Sequence, residues 1–202
     1  MARKLGRFVV LEGMDGAGTT TQARALVHHI IAGGGEATYT REPSDGVVGT
    51  HIRRILRHEV AYGVSERTLA ALFAADRLEH VDREIRPALE AGVDVVCDRY
   101  VLSSLAYQGV MTGDLEWVVQ LNGHALAADL TVLLDLPEAE ASRRRSVRND
   151  PRERYEIDDT QRAVADAYRT IAAQAGAVVL DGSGAAGEIT QRIVEILEEV
   201  CP

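Results

Sequence analysis

The stretch Gly13-Met14-Asp15-Gly16-Ala17-Gly18-Thr19-Thr20 constrains this chain more than any other, because of what stands on either side of it. Phe8-Val9-Val10-Leu11 before it reads as a short buried strand, and Thr20 to Ile31 after it reads as a helix. A glycine-rich turn in that setting points backbone N–H groups inward and, with the positive end of the helix, surrounds phosphate oxygens. The phosphate-loop pattern asks for two glycines five apart, then lysine, then a hydroxyl residue. Gly13, Gly18 and Thr20 satisfy it, with Gly16 between them, but Thr19 stands at the lysine position. A lysine there bridges the β- and γ-phosphates, whereas threonine donates a hydrogen bond without charge. Losing one preorganised donor from a transition state costs about 3 kcal/mol, roughly a hundredfold in rate.

Short β-branched runs recur along the chain at Ala37–Thr40, Val93–Cys97, Thr131–Leu134 and Val178–Leu180. Helical spacing separates them, as in Leu69-Leu72-Phe73 and Ile189-Ile193-Ile196-Leu197. Strands alternating with helices imply a parallel sheet covered on both faces, with ligands bound beyond the carboxyl ends of the strands. The expected fold is therefore α/β, a three-layer P-loop NTPase arrangement. At 202 residues and 46% hydrophobic, one domain spanning 1–202 has a substantial core. Gly33-Gly34-Gly35 reads as the C-cap and turn that ends the first helix.

Charge and cysteine content narrow the function class. A net charge of -9 argues against a nucleic-acid surface, which needs a basic face. Cys97 and Cys201 form neither a disulfide framework nor a metal motif, so a reduced, cytoplasmic setting is the default. The N-terminal apolar run is too short for a signal h-region or a membrane span, so no membrane partner is expected. Lys4 is the only lysine; every other basic side chain but histidine is arginine.

Three further blocks carry chemistry: Thr40-Arg41-Glu42-Pro43, Leu72-Phe73-Ala74-Ala75-Asp76-Arg77, and Asp98-Arg99-Tyr100 continuing through Ser103-Ser104-Leu105-Ala106-Tyr107-Gln108-Gly109. Arg41 and Arg99 each follow a strand and present a rigid fork suited to phosphate; surface ion pairs with Glu42 or Asp98 are the plainer reading. Phe73 and Arg77 lie four apart on one helical face, so one can stack on a base while the other hydrogen-bonds its edge. A helical aromatic is more often core. Asp98 ends a strand, where an acidic residue organises Mg²⁺ in phosphoryl-transfer sites, and Thr20 can offer its hydroxyl to the same ion. Asp15 alone reads as turn chemistry.

Together with Leu11–Gly18, this set in this order closely resembles the thymidylate kinases (dTMP kinases) of the bacterial type that pairs a glycine-rich loop with lid arginines. The resemblance runs from about Phe8 to Ile196 and is most specific over Asp98–Gly109. It implies a five-stranded parallel core, a homodimer, and transfer of a phosphoryl group from ATP to dTMP with Mg²⁺. By resemblance, Gly13, Met14, Asp15, Gly16, Ala17, Gly18, Thr19 and Thr20 bind ATP. Arg41, Glu42, Pro43 and Arg99 surround the dTMP phosphate, with Asp15 ordering metal and acceptor. Phe73, Arg77, Ser104 and Gln108 meet thymine, and the Tyr107 ring leaves little room for a 2′-hydroxyl. Thr20 and Asp98 serve the metal, Asp98 through water. The arginine-rich segment from about 143 to 156 becomes a lid closing over ATP, with Arg144 on the nucleotide and Arg148 and Arg154 stabilising the transferring group. These arginines are expected to offset the charge missing at Thr19. Asp181-Gly182-Ser183-Gly184 falls where the family's adenine loop sits, although alone it is only a turn.

The pattern departs at Thr19, at Ser44-Asp45 in place of glycines, and at Ala128-Asp129, which lacks a proline. The last two are expected to touch no group that does chemistry. Two other functions stay open at this level: a nucleotide-binding paralogue with little turnover, and a kinase for another nucleoside monophosphate. Amphipathic stretches around Leu69–Phe73 and Leu115–Leu126 are candidates for the dimer interface.

Overall fold

A computed structural model describes residues 5–61, 63–147, 155 and 158–201. Its centre is a five-stranded parallel sheet in the order β2-β3-β1-β4-β5. The strands are β1 (Phe8–Glu12), β2 (Ala37–Arg41), β3 (Asp94–Asp98), β4 (Leu130–Asp135) and β5 (Val178–Asp181). Every neighbouring pair is parallel, with Val10 opposite Cys97 and Thr131. The sheet is thus the α/β arrangement that the strand–helix alternation implied. The expected strands are right in number and place, but all five run one residue further at the carboxyl end. Glu12, Arg41, Asp98, Asp135 and Asp181 continue the ladder, because backbone pairing does not require an apolar side chain. Of these charged ends, Glu12 and Asp98 are buried beside the phosphate loop.

Period two inside apparently continuous apolar strands builds the layers. Val9 and Leu11 of β1 join Val132 and Leu134 against α1 (Thr19–Ala32) and α9 (Ala186–Val200). Phe8 and Val10 point to the other face, where Val95, Cys97, Ile85 and Tyr100 gather. Beside that cluster, Leu133 packs among α2 (Val47–Leu56), α3 (Glu66–His80), α5 (Val101–Thr112) and α8 (Asp158–Gln174). The remaining helices are α4 (Arg86–Glu90), α6 (Leu115–Leu121) and α7 (Glu138–Val147). Helix α3 runs into α4 through a π-helical turn at Val81–Ile85, immediately before Pro87. Pro87 has no N–H and its ring obstructs a regular ladder, and the wider turn accommodates both defects.

Helix α1 ends as its three glycines imply. Gly34 adopts φ +87°, its N–H donates to the Ile31 carbonyl, and the Gly35 N–H donates to the Ile30 carbonyl, a Schellman closure. Of the stretches expected to offer an interface, Leu69 is fully buried in the chain's own core and Phe73 packs at its edge. Leu115 and Val119 of α6 remain exposed. Gly34→Ala tests the C-cap. Nothing lies within 4 Å of the added methyl, so only the left-handed backbone resists it, at about 1–2 kcal/mol. The expected result is a melting temperature lower by roughly 2–8 °C with unchanged catalytic constants, read by thermal unfolding.

Candidate active site

The phosphate loop leaves β1 at Gly13 and enters α1 at Thr19, with Gly18 at the N-cap, where it has no side chain to cap the first N–H groups. Those donors are therefore available to an anion. Thr19 does not stand in for a lysine. Its side chain is buried and its methyl packs 3.3 Å from where a Cβ on Gly13 would lie. Thr20, in contrast, is exposed, and its hydroxyl donates to Asp98 Oδ2 across the gap between β1 and β3. The Tyr39 hydroxyl donates to the same oxygen at 3.3 Å.

Asp98 Oδ1 is buried and has no hydrogen-bond partner among the described residues. A free carboxylate oxygen beside a hydroxyl, close to a phosphate loop, is an all-oxygen donor set that suits Mg²⁺, which keeps most of its waters and shares the nucleotide's phosphates. No cluster of three or more His, Cys, Asp or Glu side chains that could hold a metal occurs among the described residues. Mg²⁺ held by one carboxylate and a nucleotide needs none.

Beside the loop opens a cleft of about 640 Å³, continuous with solvent. Its walls bring together Asp15, Glu42, Pro43, Phe73, Arg77, Arg99, Ser104, Tyr107 and Gln108. These residues come from the phosphate loop, the loop after β2, α3, the β3–α5 turn and α5 itself, so a pattern scattered over the chain becomes one surface. Asp15 is the junction. One carboxylate oxygen accepts from Arg99 Nη2 at 2.8 Å; the other accepts from the Tyr107 hydroxyl at 3.0 Å and Gln161 Nε2 at 2.9 Å. Burial and the Asp15 carboxylate push the Tyr107 hydroxyl well above its ordinary pKa, so it stays a donor. Burial opposes the charge on Arg99, but Tyr107, Asp15, Tyr168 and Asp98 outweigh it and hold the guanidinium firmly protonated.

Arg77 is fully buried. It pairs with Glu42 at 2.6 Å and donates to the Tyr100 carbonyl at 2.9 Å, to Ser104 Oγ at 3.0 Å and to Asn122 Oδ1. Its Nε is buried and has no hydrogen-bond partner among the described residues. Arg41 lies elsewhere. It does not line the cleft, its side chain is 47% exposed, and it pairs with Asp45 at 3.1 Å. Asp45 also accepts from Arg53 at 2.9 Å. Asp45, at one of the positions that depart from the family pattern, is thus the ion-pair partner of Arg41. Asp129 lies far from the cleft, accepting from the Phe8 N–H at 2.7 Å at the other end of the sheet.

On the nucleotide side, Arg144 Nη1 donates to the Gly182 carbonyl at 3.1 Å. A Cβ on Gly182 would lie 3.6 Å from the Ala17 carbonyl, so α7, the loop after β5 and the phosphate loop meet. Within that loop Asp181 Oδ1 accepts from the N–H and hydroxyl of Ser183, an Asx turn. Arg148 and Arg154 lie outside the described residues.

Several residues that carry the site gave little sign in the sequence. Glu12 is completely buried at the end of an apolar strand. Oε1 accepts from the N–H groups of Tyr100 and Ser103, and Oε2 from the Ser103 and Tyr168 hydroxyls. Burial raises its pKa, opposed by the Ser103 hydroxyl and the Arg99 charge. This carboxylate seats the N-terminus of α5 directly after Arg99, whose φ of +72° is a left-handed conformation that a non-glycine residue holds only when its surroundings compel it. Tyr155 and Tyr168 flank Tyr107, with ring centroids 5.9 and 6.1 Å away. A charged residue directly after the apolar run Phe8–Leu11 was the signal for Glu12; for Gln161 and the tyrosines there was none.

A family model for thymidylate kinase matches residues 11–193. The chain belongs to the thymidylate kinase family. It is 45% identical over 170 residues to a probable thymidylate kinase of Pyrococcus horikoshii, covering 83% of each chain. Over 202 residues it is 40% identical to a probable thymidylate kinase of Thermococcus gammatolerans, covering 96% of this chain and 97% of the relative. Over 207 residues it is 39% identical to a thymidylate kinase of Rhizorhabdus wittichii, covering 98% of this chain and 99% of the relative. Thymidylate kinase similarity therefore spans both the loop side and the cleft side of the site.

Glu12→Gln tests the buried anchor. An amide NH₂ would face donors where an oxygen now accepts, a loss of about 1–3 kcal/mol. Both the melting temperature and kcat are expected to fall; an unchanged kcat in thermally destabilised protein would show that Glu12 does not position Arg99.

Proposed function

We propose that this chain is a dTMP kinase, transferring the γ-phosphoryl group of ATP to the 5′-phosphate of dTMP to give dTDP and ADP. Family membership supports the reaction. The observation that carries it to this chain is the Asp15 junction, which ties the acceptor cleft to the phosphate loop through Arg99 and Tyr107.

The chemistry requires two phosphates brought together against their charge, since the nucleophile is already an anionic phosphate oxygen and needs no general base. Catalysis is then positioning and electrostatics. The N–H groups of the loop and of the first turn of α1 hold the β-phosphate. Thr20 and Asp98 are the residues that would hold Mg²⁺, which would supply charge neutralisation for the phosphates. Arg99 orients the acceptor phosphate, in a geometry fixed by Asp15, Ser103 Oγ at 3.3 Å and the Tyr168 hydroxyl at 3.2 Å. As the γ-phosphoryl group moves, its bond to the β-phosphate oxygen breaks and one to the dTMP oxygen forms, in line. Arg148 and Arg154 are proposed to stabilise it from the lid at about 143–156.

Selectivity follows from rigidity. Phe73 offers a stacking face and Arg77 a cation for the polar edge of a base, with Ser104 and Gln108 alongside. The Tyr107 ring is pinned by its hydroxyl bond to Asp15 and by Tyr168 edge-on, so it makes an unyielding wall against a ribose 2′-hydroxyl. The proposal extends to a single functional unit over 1–202 and a homodimer that uses exposed surface such as Leu115 and Val119. It also extends to action on free nucleotides in the cytoplasm, with no nucleic-acid partner. Among the described residues no helix is long and apolar enough to cross a membrane.

The deciding experiment is steady-state phosphoryl transfer from ATP·Mg²⁺ to dTMP, with dUMP, dCMP and UMP as competitors. Preferred turnover of dTMP is expected; no turnover of any of the four would refute the reading. Arg99→Ala should lower kcat about 10²–10³-fold, the usual loss for a charge-stabilising donor. Arg41→Ala, outside the cleft and tied to Asp45, should cost less than about tenfold. Equal losses at both positions would return Arg41 to the acceptor phosphate.

A further inference from the structure

Helix α7 turns one arginine back onto the phosphate loop. Arg145 Nη1 donates to the main-chain oxygen of Asp15 at 2.8 Å, while Nη2 pairs with Glu138 at 3.2 Å. Its side chain is only 9% exposed. Loop and helix approach closely because residue 16 is glycine: at φ +93°, a Cβ there would lie 2.7 Å from the Ala141 carbonyl oxygen and 3.3 Å from Arg145 Cγ. A buried guanidinium is therefore seated against the outer side of the loop whose lysine position is filled by an uncharged, inward-packed threonine.

The contact has an electrostatic consequence. The peptide joining Asp15 and Gly16 is planar and trans, so its N–H points opposite to its C=O. A cation on the oxygen polarises the whole unit and strengthens the Gly16 N–H as a donor on the side away from α7. The effect is greatest in a low-dielectric setting, which the burial of Arg145 provides. We propose that Arg145 is a positioning residue for ATP, supplying through the Asp15–Gly16 peptide positive charge that Thr19 does not carry. This rests on the kinase reading and deepens it. The sequence pointed instead to Arg144, Arg148 and Arg154, whereas Arg145 is the α7 arginine whose guanidinium hydrogen-bonds to the loop backbone.

The test combines Arg145→Gln, which keeps a donor but removes charge, with Arg145→Lys, which keeps charge, each alone and with Thr19→Lys. In the native background Arg145→Gln should raise KM for ATP about tenfold while KM for dTMP stays within about twofold, and Arg145→Lys should recover most of the loss. With Thr19→Lys present, the Arg145→Gln effect should shrink to about threefold or less, since coupled groups are non-additive. An equal effect in both backgrounds would overturn the proposal. So would parallel shifts in both KM values with no rescue by lysine. Thr19→Lys alone gives an independent reading if Arg145→Gln proves too unstable: a gain in kcat/KM near a hundredfold would mean that nothing had replaced the lysine. Equilibrium titration of the same variants with ATP·Mg²⁺ separates the two levels. If dTMP is never phosphorylated but ATP affinity still depends on Arg145 in this pattern, the kinase reading fails and the positioning role stands; if dTMP is turned over and ATP affinity ignores Arg145, the reverse holds.

Discussion

The buried carboxylate of Glu12 is the interaction on which the site most depends. A charge placed at the end of an otherwise apolar strand is costly unless donors surround it. Here the donors are two backbone N–H groups and a hydroxyl from the start of α5, with a tyrosine hydroxyl from α8. The same residue is covalently next to Gly13. One carboxylate thus ties the root of the phosphate loop to the turn that carries Arg99, and holds that turn in a conformation it would not adopt alone. The distance between donor loop and acceptor arginine is thereby set by the sheet rather than by a flexible surface.

Asp15 passes that arrangement outward. Its side chain answers to the acceptor side, through Arg99, Tyr107 and Gln161, and its carbonyl answers to α7 through Arg145. The loop is therefore gripped from both faces, and its shape does not rely on a lysine reaching across bound phosphates. Thr20 and Asp98, joined directly, close the remaining side.

Much of this was legible beforehand. The strand–loop–helix order, the five strands and the glycine C-cap each follow from local pattern, and local pattern survives folding because the backbone satisfies it within a few residues. The acceptor residues Phe73, Arg77, Arg99, Ser104, Tyr107 and Gln108 were named from a family motif, and they converge on one cleft. Arg41 was named by the same motif and does not line that cleft; it pairs with Asp45 at the surface. A motif records residue types and spacing; it does not record the competing charge four residues on. Arg145 was hidden differently. Within Arg143-Arg144-Arg145 only helix phase separates the three. Arg143 pairs outward with Glu140, Arg144 reaches the Gly182 carbonyl, and Arg145 faces the loop.

By itself the sequence determined the class of fold, the presence of a phosphate loop, and the family to which the acceptor residues belong. Those properties reside in short-range periodicity and in the order of motifs, which a chain carries before it folds. Tertiary structure alone decided which arginine of α7 faces the loop, which arginine lies at the surface, and why a glutamate is buried beneath the site. Those outcomes depend on which polar groups, distant in sequence, are left facing one another once water is excluded. Burial makes each such group find a partner, and the identity of that partner is a property of packing.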